Sequence, residues 1–118
     1  MPAPDFPQID KAGKWDTLVQ QGSTFMRSLS FSNFDITGFS FRGQIKRQHA
    51  DRNPLATYTI TQEANNEISI YLSSQASAGL PAGNLVHDVE MFYAESGVDQ
   101  FVARIVEGKV KVTPEVTK

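Results

Sequence analysis

The chain has no cysteine. Disulfides, thiolate catalysis and cysteine-ligated zinc are therefore excluded. No apolar run approaches the ~20 residues that a membrane-spanning helix needs. Charge of one sign is missing as well: 11 basic and 13 acidic residues leave a net charge of −2. A nucleic-acid binder usually shows a basic face or stripe, so neither nucleic acid nor membrane is an expected partner. The first residues, Met1-Pro2-Ala3-Pro4-Asp5-Phe6-Pro7, lack the basic start and apolar centre of a secretory signal. No long segment repeats apolar residues at the helical period of 3.6. Glycine-rich phosphate loops, dinucleotide fingerprints and a Gly-x-Ser-x-Gly elbow are all absent.

What is present fits one folded domain. A length of 118 residues suits one domain and is too short for two ordinary ones. Hydrophobic residues make up 40% and charged residues 20%, enough for a packed core. Residues 1–14 carry Pro2, Pro4 and Pro7, which disfavour helix and hold their neighbours extended. They are expected to form an extended arm, either disordered or laid against a partner.

Beyond the arm the pattern is that of strands. Trp15 to Leu18 and Thr24 to Phe31 are candidate strands, the second with Phe25, Leu29 and Phe31 in phase and Arg27 as the exception. Ser32 to Asp35 reads as a loop. Phe39, Phe41, Gly43 and Ile45 alternate with Ser40, Arg42, Gln44 and Lys46, which describes a strand with one wet face. Gly43 is expected to admit a large neighbour such as Trp15, or to mark a bulge. His49 to Pro54 is a loop. Tyr58 and Ile60 lie among threonines, and Asn65-Asn66 turns the chain into Glu67 to Leu72. Ser73 to Gly79 suits a single helical turn around Ala76 and Ala78. A hairpin then runs from Leu80 through Ser96-Gly97 to Val112, with Gly108 the expected bulge. Six to eight short strands at roughly ten-residue spacing predict an all-β fold. The expectation is a single antiparallel β-sandwich, immunoglobulin-like or similar, over residues 15–118.

Candidate chemistry is thin. In a strand His87 points away from Asp88 and Glu90, so these three make a poor metal site. They read instead as a partly buried core histidine and two carboxylates paired with Arg104 or Lys109 across the hairpin. Arg42, Lys46, Arg47 and Arg52 read as a solvated strand face and loop. Ser73, Ser74 and Ser77 have no flanking base and read as turn residues. No catalytic residue, cofactor or metal is expected. Phenylalanine is plentiful, eight in all, more than one face of each strand requires. Phe34 in its loop and Phe92 beside Asp88 and Glu90 are expected to be exposed contacts, unless a second layer of the same sandwich covers them.

Three stretches resemble small β-sandwich structural proteins from the tail, tail-fibre and neck gene neighbourhood of tailed bacteriophages. They are Asp35-Ile36-Thr37-Gly38-Phe39-Ser40-Phe41-Arg42-Gly43-Gln44-Ile45-Lys46, then Leu80-Pro81-Ala82-Gly83 with His87-Asp88-Val89-Glu90, then Ile105 to Thr117 with its Pro114-Glu115-Val116-Thr117 close. The resemblance covers roughly residues 20–118 and lies in the order and spacing of the motifs. Leu85 and His87 stand where such sequences often carry aromatics. The resemblance implies a non-enzymatic virion protein, an adaptor or attachment module in tail, neck or baseplate, in a homo-oligomer or multi-copy ring with other virion proteins. Expected partner contacts are Pro4, Phe6 and Ile9 in the arm, Phe34, and Phe92. The alternatives are a carbohydrate- or host-surface-binding sandwich using Tyr58, His49 and Asp51, and a capsid decoration protein.

Overall fold

The computed structural model describes residues 3–9, 11–32 and 34–115. Asn33 in the expected loop, Met1, Pro2 and Asp10 in the arm, and Val116 and Thr117 of the closing motif lie outside them. Among the described residues nine strands and one short helix follow in order: β1 Gly13–Lys14, β2 Thr17–Gln20, β3 Phe25–Ser30, β4 Ser40–Lys46, β5 Ala56–Thr57, β6 Thr59–Ala64, β7 Glu67–Leu72, α1 Ser74–Ala78, β8 Gly83–Glu95 and β9 Val98–Thr113.

The strands form two sheets. The larger runs β1-β9-β8-β4-β5, with β2 also on β9; the smaller runs β3-β7-β6. The fold is mainly β and sandwich-like, but not wholly antiparallel as expected. Both β1 and β2 run parallel to β9, Gly13 beside Val106 and Thr17 beside Val110. The N-terminal segment lies along the last strand, which a parity pattern cannot reveal. The expected strand at Trp15 to Leu18 is also split, because Trp15 and Asp16 form a break between β1 and β2.

Alternation decides which residues meet between the sheets. Val19, Phe25, Phe39, Ile45, Ile68, Ile70, Leu72, Leu85, Val89, Met91, Val110 and Val112 form most of the buried core. The segment around Tyr58 is shared between the two sheets. β5 pairs with β4, β6 pairs with β7, and Tyr58 sits at the crossing. Its ring stacks on Phe25 at 5.9 Å. A Cβ on Gly43 would lie 2.9 Å from that ring, so Gly43 makes room for Tyr58 and not for Trp15.

The hairpin turns as its sequence suggests. Ser96 and Gly97 both have positive φ, 51° and 79°, the geometry of a two-residue turn that matches strand twist. The hairpin carries two bulges, neither at Gly108: Tyr93 faces Phe101 while Ala94 faces Asp99, which leaves Gln100 as one extra residue. Val89 faces Val106 while Glu90 faces Arg104, so Ile105 is the other extra residue and both Ile105 and Val106 turn into the core. Gly108 has another reason: a Cβ there would overlap the Trp15 carbonyl. The expected helical turn is α1, capped by Ser73 Oγ accepting from the Ala76 N–H at 3.1 Å.

Strand β4 accompanies β8 only between Lys46 and Ser40, and Ser40 faces Phe92. The hairpin projects beyond that point. Its length shows in the dimensions, 51 × 29 × 26 Å, and in a radius of gyration of 15.1 Å. A compact domain of this size would have about 13.5 Å.

Candidate functional site

The projecting hairpin carries its inner face past the layer that covers it. Tyr93 pairs with Phe101, and Glu95, on the same face, pairs with Val98. Among the described residues, no strand of the smaller sheet pairs with this end of the hairpin. The arm takes its place. Phe6 stacks on Phe101 with ring centroids 5.0 Å apart, and meets Tyr93 at 5.8 Å and Phe39 at 6.4 Å. Each such pair adds roughly 0.5–1.5 kcal/mol beyond burial. Pro4 lies against Gly38, whose φ of +91° brings the backbone close. Ile9 packs on the core. The three arm residues expected as contacts are thus brought together on the chain's own surface. The cover is partial: Phe6 remains 46% exposed and Val98 60%.

Phe34 is not the exposed loop aromatic expected. It is half-buried, with Phe31 at 6.2 Å and Phe39 at 6.0 Å, so it belongs to the layer beneath the arm. Phe92 does lie on the outer face, but half-buried under Arg42, whose guanidinium sits 4.3 Å above the ring. Arg42 also reaches Glu90 at 2.7 Å and Asp99 at 3.2 Å, tying β4 to both hairpin strands. Glu90 therefore makes its close ion pair sideways with Arg42 of β4, while Arg104 remains its cross-strand neighbour. Arg104 takes Asp88 at 3.7 Å and Glu107 at 3.1 Å. Beside Phe92, its cross-strand partner Val102 is 45% exposed.

His87 is fully buried, more so than expected. Its Nε2 lies 2.8 Å from the Trp15 carbonyl, which can only accept, so this nitrogen carries the hydrogen. Its Nδ1 lies 2.7 Å from the Tyr58 hydroxyl, which donates to it. Trp15 leans over the imidazole at 4.7 Å. Burial pushes the His87 pKa down; the Trp15 bond, Asp88 and Asp16 oppose that shift without reversing it, and His49 adds to it. Burial likewise pushes the Tyr58 hydroxyl well up. Both groups stay neutral and locked, each bonded to its neighbour, which is the chemistry of a strut. The chain of bonds joins the β1–β2 break, the hairpin and the crossing at Tyr58. Sequence parity places His87 inward, but not these partners, which lie 72 and 29 residues away.

Of the residues weighed for glycan binding, Tyr58 is buried and Asp51 accepts from the Gln48 N–H at 3.2 Å to close its loop. His49 lines an open cleft of about 680 Å³ with Lys11, Lys14, Asp16, Val86 and Lys109. Its basic residues are scattered through the sequence, unlike the Arg42 to Arg52 cluster. Among the described residues, no phenylalanine, tyrosine or tryptophan lines it for a sugar to stack on. Nor, among the same residues, do three His, Asp or Glu side chains gather as a metal site would require. The chain matches no protein-family model and no curated protein.

Proposed function

We propose that the chain is a non-enzymatic structural protein of a tailed-phage particle. In this reading it is a sandwich-like adaptor or attachment module that joins components of tail, neck or baseplate in several copies. The motif order from Asp35 to Lys46, through Leu80 to Glu90, to the Ile105 to Thr117 close supplies the phage context. The observation that supports a joining role is the projecting β8–β9 hairpin, which offers partners exposed apolar residues on both faces. Val98 and the half-covered Phe6 lie on one, and Val102 beside Phe92 on the other. Leu18, Met26 and Leu55 add exposed apolar positions on the body, and such surface favours a protein–protein contact. The glycan-binding alternative keeps only His49 of its three residues, so the adaptor is the reading carried forward.

Sedimentation of the purified chain over a range of concentrations tests the joining role. The expected result is reversible self-association that Val98→Asp with Val102→Asp weakens at least tenfold while the fold persists. A wild-type chain that stays monomeric at millimolar concentration and fails to associate with any purified particle component would overturn it.

A further inference from the structure

We infer that the groove formed by Phe39, Tyr93 and Phe101 is a docking site for the arm of a second copy of this chain, so that neighbouring copies exchange residues 3–6. The inference rests on the multi-copy reading above and names the partner and the surfaces that meet. The structure supplies the occupant, because the chain's own arm already sits in this groove. Phe6 stacks on Phe101, and Pro4 lies on Gly38. An arm from a neighbour makes the same contacts as the arm in place. For residues 3–6 exchange therefore changes no pairwise contact; it trades the tether's effective concentration, of order millimolar, for that of a neighbour held beside it.

Four features favour exchange. Proline at positions 4 and 7 keeps the arm extended before it docks, so little ordering entropy is lost on moving to another groove. Among the described residues no strand pairing holds residues 3–9, since regular structure begins at Gly13. Seven steps from Phe6 to Gly13 span at most about 25 Å, just under the two shorter dimensions of 29 and 26 Å, so a copy whose groove faces the shared seam is within range once Ile9 leaves its place on the core. Phe6, 46% exposed in its own groove, leaves ring surface for a neighbour to cover.

The absence of native cysteine makes a crosslinking test clean. Asp5 and Thr37 line the same surface depression, where the arm meets the groove, and neither side chain is part of the aromatic stack. Asp5→Cys and Thr37→Cys single variants are mixed at about 1 mM, near the tethered effective concentration, and oxidised under mild conditions. The exchange model predicts a disulfide-linked heterodimer of the two variants, with the crosslink mapped by mass spectrometry. It should be at least threefold more abundant than product from Asp5→Cys mixed with a Leu18→Cys collision control, and reduced at least threefold by Phe6→Ala in the Asp5→Cys chain. If the Asp5→Cys/Thr37→Cys double variant closes within itself while the mixture gives no excess over the control, the arm docks only at home and exchange is wrong. If neither pair closes, the arm does not occupy this groove and the inference also fails. The assay uses purified chain alone, so its outcome is independent of whether the chain belongs to a virion.

Discussion

His87 holds a neutral imidazole where water does not reach, between a carbonyl that only accepts and a hydroxyl that donates. Protonation would put a hydrogen on Nδ1, facing the Tyr58 hydroxyl hydrogen, and place a charge in the core. The folded pKa therefore lies below the ordinary 6.5 that the unfolded chain has. The sign follows from linkage. Below pH 6.5 the unfolded chain binds a proton that the folded chain refuses, so stability is complete above that pH and is lost as pH falls through it. The slope is up to about 1.4 kcal/mol per pH unit. The lowered carboxyls of Asp16 and Asp35 act in a separate window, beginning only near their ordinary 3.8. Denaturant titrations from pH 5 to 7.5 should show the histidine limb. His87→Phe should remove that limb and cost about 2–4 kcal/mol at pH 7.5, since it leaves the Tyr58 hydroxyl and Trp15 carbonyl unpaired. A wild-type chain with flat stability from pH 5 to 7.5 would contradict this account of the strut.

At the scale of elements, the register of β9 carries the most information. Its Ile105 bulge turns two consecutive side chains inward, and Gly108 then leaves space for the Trp15 carbonyl to reach His87. Gly108→Ala would force the β1–β2 junction away from β9. The expected loss is about 2–4 kcal/mol, because the obstruction is backbone and the His87 bond goes with it. Trp15, the only tryptophan, reports the event: its emission should shift to the red in the folded variant. Unchanged emission with unchanged stability would show that the junction tolerates a side chain. Much of this level was legible in the sequence. The wet and dry faces of β4, the Asn65-Asn66 and Ser96-Gly97 turns and the short helix all follow from local alternation and turn chemistry. The parallel docking of β1 and β2 was not legible, because pairing partners 93 residues apart leave no periodic trace: Thr17 beside Val110 looks in sequence like any two strand residues. Gly108 looks in the sequence like a bulge because glycine usually marks one, whereas here the glycine serves a carbonyl contact and the bulge lies at Ile105 and Val106. Likewise Phe34 reads in the sequence as an exposed loop aromatic because its cover comes from Phe31, just after β3, and Phe39, just before β4.

At the scale of the whole molecule, a sandwich-like body carries a hairpin longer than the sheets that flank it, and an arm that partly covers the excess. This shape suits a component that is completed by its neighbours: the hairpin and arm present Phe6, Val98 and Val102, and the body adds exposed Leu18, Met26 and Leu55. The proposed role in a phage particle is the central claim, and side-chain-resolution imaging of particles purified from the organism that encodes the chain tests it most directly. The predicted result is several copies of this chain in tail, neck or baseplate, with the β8–β9 hairpin against a neighbour and Val98 and Val102 buried. Complete particles from which this chain is absent would contradict the claim.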